Sequence, residues 1–216
     1  MKQIDYESRR MYMVDTQILS RNIVNGSVLA AMRSVPRHRF VPEALQNEAY
    51  EDYPLPIGFA QTISQPYIVA YMLQLIEPEP WHRVLEIGTG SGYLTAVLAR
   101  TVEEVYSVEI IAALHERAAK LLGELGVDNA HLILSDGNEG YSPAATYDAV
   151  IVSAAARRIP PALVDQLKTG GRLCVPLGAA SETQRLCLVR KFDDERIACS
   201  ELDYVRFVPL CGKGES

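Results

Sequence analysis

The segment Arg83-Val84-Leu85-Glu86-Ile87 runs directly into Gly88-Thr89-Gly90-Ser91-Gly92-Tyr93. An apolar strand that ends in three alternating glycines and continues into a helical pattern over 91–100 confines a chain to few folds. Glycine permits the tight turn and lets the backbone approach a ligand where a side chain would clash. The N-terminus of the following helix adds unpaired N–H groups and a positive dipole end. The unit marks a cofactor site.

The surrounding rhythm agrees. From about residue 82, strand patterns at Arg83–Ile87, Val105–Glu109, Ala130–Leu134, Tyr147–Ser153 and Arg172–Pro176 alternate with helical patterns over 91–100, 111–125 and 160–168. That alternation predicts right-handed crossovers and a parallel, doubly wound sheet covered on both faces. Ala149-Val150-Ile151-Val152 is apolar without alternation, as a central strand buried on both sides should be. Ahead of this α/β core, residues 6–20 read as helix, and Ser27 can cap a short helix over Val28–Met32 that stops before Pro36. Two proline-punctuated stretches follow, and Pro66 fits the first turn of a helix reaching Ile76. Behind the core, Arg185–Lys191 and Tyr204–Pro209 read as strands on either side of the charged turn Asp193-Asp194-Glu195.

Composition excludes several classes. With 27 acidic and 21 basic side chains among 216 residues, the net charge of −6 argues against a nucleic-acid partner. The first ten residues hold no apolar run of the signal-peptide kind, and no stretch nears the roughly 20 apolar residues of a membrane span. The four cysteines, Cys174, Cys187, Cys199 and Cys211, form no Cys-x-x-Cys pair, so no metal is expected and a reducing cytoplasm suits them.

Three further acids narrow the cofactor. Glu109 ends its strand nineteen residues after Gly90, where a carboxylate can accept from ribose hydroxyls. A nicotinamide-cofactor enzyme shares that feature. It would, however, carry Gly-x-Gly-x-x-Gly, and position 93 is tyrosine. Glu86-x-Gly88-x-Gly90-x-Gly92, with Asp136-Gly137 after the third strand, is instead the pattern of S-adenosyl-L-methionine-dependent methyltransferases. Acidic groups also suit a cationic sulfonium ligand.

Gly58-Phe59-Ala60-Gln61-Thr62-Ile63-Ser64-Gln65-Pro66 is polar and turn-like just ahead of the core. Together with Leu85–Tyr93, Asp136-Gly137 and Arg206-Phe207-Val208-Pro209-Leu210, it resembles the protein-L-isoaspartate (D-aspartate) O-methyltransferases over residues 10–212. Val35-Pro36-Arg37-His38-Arg39-Phe40-Val41-Pro42 and Pro54-Leu55-Pro56-Ile57-Gly58 are similar to that family too. The resemblance implies a Rossmann-like class I methyltransferase with an N-terminal helical layer. It implies one domain over 1–216: an N-terminal helical and substrate-side segment at 1–80, a cofactor core at 81–178 and a β-rich end at 179–216. The implied reaction is methylation of the free carboxylate of L-isoaspartyl, and by extension D-aspartyl, residues in isoaspartyl peptides and flexible protein segments, initiating repair. By the same carry-over, Ser64 is the active-site residue, with Thr62 and Ile63 beside the substrate. Glu86, Gly88, Thr89, Gly90, Ser91, Gly92, Glu109, Asp136 and Gly137 would then bind the cofactor.

A carboxylate is already ionised at neutral pH, so this chemistry needs no general base. Ser64 would orient the carboxylate through its hydroxyl, or cap the helix after Pro66, or do both. It is no nucleophile, since Ile63-Ser64-Gln65 is not a Gly-x-Ser-x-Gly elbow. Ala60 stands where the family usually has glycine, Arg157 where a proline is common, and Cys211 where a small hydroxyl residue is usual. Other readings are a paralogue that methylates a different peptide or small-molecule carboxylate, and a catalytically silent binding module.

Overall fold

A computed structural model describes residues 5–193 and 196–212. Met1–Ile4, and Asp194 and Glu195 of the expected charged turn, lie outside the described residues.

The helical N-terminal layer forms as expected, with two local differences. Helix α1 (Tyr6–Met13) passes into a π-turn over Val14–Ile18 and a 3₁₀ turn over Leu19–Arg21. Helix α2 (Gly26–Ser34) is capped by Asn25, whose Oδ1 accepts from Val28 N at 3.1 Å. Ser27, the expected cap, instead donates its hydroxyl to that same Oδ1 at 2.7 Å. A hairpin of β1 (Leu55–Gly58) and β2 (Gln61–Ile63) then leads into α3 (Pro66–Ile76), which has Pro66 in its first turn.

The core elements follow in the expected alternation: β3 (Arg83–Ile87), α4 (Tyr93–Leu98), β4 (Glu104–Glu109), α5 (Ala112–Glu124), β5 (Ala130–Leu134), β6 (Tyr147–Val152), α6 (Pro161–Asp165), β7 (Leu167–Leu177), β8 (Gln184–Lys191) and β9 (Ile197–Val205). The seven-stranded sheet has the order β5-β4-β3-β6-β7-β8-β9. The β5, β4, β3, β6 and β7 strands run parallel to one another, and β8 and β9 continue from β7 as an antiparallel meander. Successive residues of the central strands serve opposite faces. Val84, Ala149 and Ile151 pack against the N-terminal layer, α3 and α4, while Leu85, Val150 and Val152 pack with Leu163 of α6 and Leu210.

Three expected boundaries shift, the first being the helix expected over 91–100, which spans only Tyr93–Leu98. The helix predicted over 160–168 stops at Asp165, because Leu167 pairs with Tyr147 and is drawn into β7. The last strand lies at Ile197–Val205 rather than Tyr204–Pro209. It is an edge strand exposed along nearly its whole length, so it carries no inward-facing apolar alternation. Residues 207–210 are apolar for another reason: they cross the end of β6, where Ala155 N donates to Val208 O and Leu210 N donates to Ala155 O.

The topology places the site. β3 and β6 are adjacent, and the chain runs outward from them in opposite directions, which opens a crevice at their C-terminal ends. The β1–β2 hairpin stands over that crevice, and its turn residues Phe59 and Ala60 both have positive φ (54° and 55°). A left-handed alanine carries about 1–2 kcal/mol of steric cost, and glycine's extra unfolded-state entropy offsets part of its removal. Ala60→Gly should therefore raise the unfolding free energy by about 0.5–1 kcal/mol in urea denaturation, and a loss of stability would contradict a strained turn.

Candidate functional site

The glycine loop is built as the sequence predicts. Gly88, Gly90 and Gly92 all hold positive φ (92°, 54° and 85°), which side-chain-bearing residues rarely adopt. Gly88 N donates to Val108 O at 2.8 Å, tying the loop to β4, and a Cβ at Gly88 would sit 3.5 Å from that of Ser153. Gly92 serves packing instead, because its missing side chain makes room for Ala118 of α5. α4 has only six residues, so close backbone approach, rather than a long helix dipole, is what the loop offers a ligand.

Beneath the loop lies a buried polar network. Glu86 is fully buried, and its Oε2 accepts from Thr95 Oγ1 at 2.5 Å and from Ser107 Oγ at 2.7 Å. Thr89 of the loop shares a hydrogen bond with Ser107 Oγ at 2.6 Å. Glu86 Oε1 has no partner. Burial pushes the carboxyl up to about 8, against the pull of the two hydroxyl donors. Glu109 is nearly as buried but fully engaged with backbone. Its Oε2 accepts from Gly90 N at 2.8 Å, and its Oε1 accepts from Ile110 N and Ile111 N, both at 2.9 Å. Oε2, with a single donor, keeps acceptor capacity for a ligand hydroxyl.

These groups border a cavity beside the glycine loop. Of the residues predicted to hold a cofactor, Glu86, Gly88, Thr89, Gly90, Ser91, Glu109 and Gly137 line it. Gly92 and Asp136 are not in its wall. Asp136 stands behind Gly137, where its Oδ1 accepts from Asn138 N at 3.0 Å and caps a short 3₁₀ turn. The sequence reading missed Ile110, Ser153 and Cys211, which also line the cavity. The signal for each was its place directly after a strand end or an identified motif.

A second cavity, of about 470 Å³, adjoins the first, and Thr62, Ser64, Ser153 and Val208 line both. The predicted substrate residues thus fall at the junction, with Ile63 on the cofactor side alone. The Ser64 hydroxyl makes no hydrogen bond among the described residues, and α3 is preceded by Gln65 with no side-chain cap. Capping is thereby removed as the explanation of Ser64, and its donor faces the chambers unspent. Ser64 is held through its backbone: Arg37, fully buried, donates from Nη2 to Ser64 O at 2.8 Å and from Nε to Ala49 O at 2.7 Å. The Arg37 guanidinium lies 4.9 Å from the Tyr93 ring centroid, and burial pulls its pKa down to about 10. Arg37 belongs to a motif noted in the sequence, but nothing local marked it as the support of the Ser64 loop. The neighbouring His38 packs as a structural residue, stacked on Tyr6 at 4.0 Å and 2.8 Å from the Tyr50 hydroxyl.

The two chambers differ in charge. Among the described residues, the first has Glu86 and Glu109 in its wall and no lysine or arginine, whereas Arg206 is the single charged residue lining the second. The buried Glu109 carboxylate, a Glu86 carboxyl with an unpartnered oxygen among the described residues, and a glycine loop open to close approach fit a cationic, ribose-bearing ligand such as S-adenosyl-L-methionine.

Comparisons with known proteins agree with the geometry. The family model described as Protein-L-isoaspartate(D-aspartate) O-methyltransferase matches residues 8–215. The chain is 52% identical over 203 residues to a protein-L-isoaspartate O-methyltransferase of Opitutus terrae, covering 94% of this chain and 87% of that one. A solved protein-L-isoaspartate O-methyltransferase superposes with a TM-score of 0.85 at 27% identity, over 95% of this chain and 66% of its own length. A Plasmodium falciparum structure, described as a protein-L-isoaspartate O-methyltransferase in complex with S-adenosyl-L-homocysteine, gives 0.79 at 25% identity, over 94% of this chain and 98% of that one.

The raised Glu86 carboxyl has a measurable consequence. Its pKa is 4.5 when unperturbed and about 8 in the fold, so the folded state binds the proton more tightly. That contribution to stability is fully present below about pH 4.5 and is lost as pH rises toward about 8. Glu86→Gln has no proton to lose, so its unfolding free energy relative to wild type should climb by a few kcal/mol between those limits. Parallel stability–pH curves for the two proteins would contradict a buried, proton-holding Glu86.

Proposed function

The chain belongs to the protein-L-isoaspartate (D-aspartate) O-methyltransferase family, and we propose that it methylates the free carboxylate of L-isoaspartyl residues in damaged proteins. The methyl donor is S-adenosyl-L-methionine, D-aspartyl residues are a further substrate class, and methylation initiates repair. The observation that carries this reading is the junction, where Ser64 and Thr62 stand in the walls of two chambers of opposite charge.

When bound, S-adenosyl-L-methionine supplies an electrophilic methyl group on a sulfonium sulfur. Glu86, Glu109 and the backbone of Gly88–Ser91 would hold it, and Gly137 borders the same cavity. Asp136 acts at one remove, by setting the turn that contains Gly137. The substrate carboxylate enters already ionised, so no side chain has to remove a proton. Ser64 orients it by donating its hydroxyl, with Thr62 as a second donor on the same rim. Ile63, Val208 and Leu210 contribute apolar wall that keeps water from the junction. A dry, aligned site would favour transfer of that methyl to a carboxylate oxygen, with S-adenosyl-L-homocysteine leaving, because the opposite charges diminish together. Arg37 contributes by fixing the Ser64 backbone rather than by touching substrate.

The substrate chamber opens between the β1–β2 hairpin, α3 and residues 204–208, which favours isoaspartyl residues in peptides and flexible segments over those fixed in regular structure. No helix among the described residues is long and apolar enough to cross a membrane. Four free cysteines support a cytoplasmic location, and a match that runs from residue 8 to 215 supports reading 1–80, 81–178 and 179–216 as parts of one catalytic unit.

The test is radiolabelled methyl transfer to an isoaspartyl peptide beside its aspartyl twin. Transfer to the isoaspartyl form alone is expected. Transfer to neither peptide, with cofactor bound, would favour a silent binding module, and transfer to some other carboxylate would favour a paralogous activity. Ser64→Ala should lower kcat by about 10- to 100-fold, the scale of one lost orienting hydrogen bond, with cofactor Kd by calorimetry nearly unchanged. Unaltered turnover would remove Ser64 from the reaction.

A further inference from the structure

We propose that Arg206 is a specificity residue that reads a second negative charge on the substrate: an acidic side chain one or two residues from the isoaspartyl position. The inference rests on the isoaspartyl reading above. Among the described residues, Arg206 is the only charged one in the wall of the substrate chamber. It is exposed, and it makes no ion pair or hydrogen bond among the described residues. Its neighbours are engaged. Glu201 pairs with Arg185 at 3.4 Å, the Arg185 guanidinium lies 3.9 Å from the Tyr204 ring centroid, and Asp203 faces the Tyr71 hydroxyl. A cation left unpaired amid partnered charges, in a chamber with no acid among the described residues, offers its charge to a ligand.

The backbone that carries it is fixed. Val205 pairs with Gln184, Phe207 N donates to the buried Gln184 Oε1 at 2.9 Å, and Val208 O accepts from Ala155 N at 2.8 Å. The guanidinium therefore projects from a preorganised segment, and little backbone ordering is needed on binding.

Position and chemistry both separate Arg206 from the reacting carboxylate. It does not line the cofactor chamber, whereas Val208, two residues further on, lines both. Two extended residues span at most about 7 Å, which is about two residues along a bound peptide as well. A guanidinium on the nucleophilic carboxylate would also stabilise the ground-state anion more than a transition state in which that charge diminishes, and so would slow the reaction. Neutral donors such as Ser64 suit the reacting group, and Arg206 suits an anion beside it.

The experiment measures kcat/KM on isoaspartyl peptides that differ only in bearing Glu, Gln or Lys at one flanking position. At low ionic strength the best Glu peptide should exceed its Gln twin by about five-fold, with the difference in KM. The advantage should shrink at about 0.5 M salt. Arg206→Gln should bring the Glu-to-Gln ratio close to one, and Arg206→Lys should restore part of it. Arg206→Glu should turn the preference toward the Lys peptide, an inversion that a loosened or misfolded chamber cannot produce. A wild-type ratio near one at every position, or a ratio that survives Arg206→Gln, would overturn the proposal. Absence of transfer to every isoaspartyl peptide, the Gln forms included, would fell the underlying reading and this one with it.

Discussion

The hydrogen-bonded cluster around Glu86 joins four parts of the molecule at one buried point. The carboxyl comes from β3, Thr95 from α4, Ser107 from β4 and Thr89 from the glycine loop. Each hydroxyl is both short and buried, so each can reach the cluster from only one arrangement of its element. A polar network of this kind is costly when incomplete, because an unmet donor or acceptor in a low-dielectric interior has no water to turn to. The network therefore sets where α4 begins relative to β3 and β4. That placement in turn puts Gly88 against Ser153 and Gly90 N on Glu109. One oxygen, Glu86 Oε1, is left over, and it belongs to a residue in the cavity wall.

A second buried charge has the corresponding role on the other side of the crevice. Arg37 lies in the N-terminal layer, yet its guanidinium ends on the carbonyls of Ala49 and Ser64 and beside Tyr93 of α4. The N-terminal layer and the glycine loop are thereby referenced to each other through one side chain. Junction geometry depends on this, because Ser64 arrives from the N-terminal segment and the cofactor loop from the core. Glu86 and Arg37 show the same economy: the site is positioned by buried polar groups that do not themselves carry the chemistry.

How much of this was legible in the sequence depended on range. β3 and α3 lie where local pattern placed them, because apolar runs bounded by glycine or proline report burial directly. The glycine loop was legible for the same reason: positive φ is a property of single residues. β9 was misplaced because an exposed edge strand has no apolar face to report. Residues 207–210 drew the assignment because they are apolar, but they are apolar as wall and not as strand. Gly92, expected among the cofactor residues, lies outside the cavity wall and gives room to Ala118 of α5, a contact that spacing alone does not report. Asp136 was displaced from the wall for the same reason, and Arg37 was missed because its partners lie 12 and 27 residues away.

The amino-acid sequence by itself determined the alternating α/β core, the cofactor loop with its acids, and the family to which Thr62-Ile63-Ser64-Gln65-Pro66 pointed. These are consequences of hydrophobic period and of local backbone freedom, which operate over a few residues. Tertiary structure alone decided that Thr62, Ser64, Ser153 and Val208 converge on one rim between two cavities. It also decided that the cavities have opposite charge, and that Arg206 is left without a partner among the described residues. Convergence depends on which strands become neighbours, and charge on which side chains find partners there. Both follow from packing of segments far apart in the chain, where no local pattern reaches.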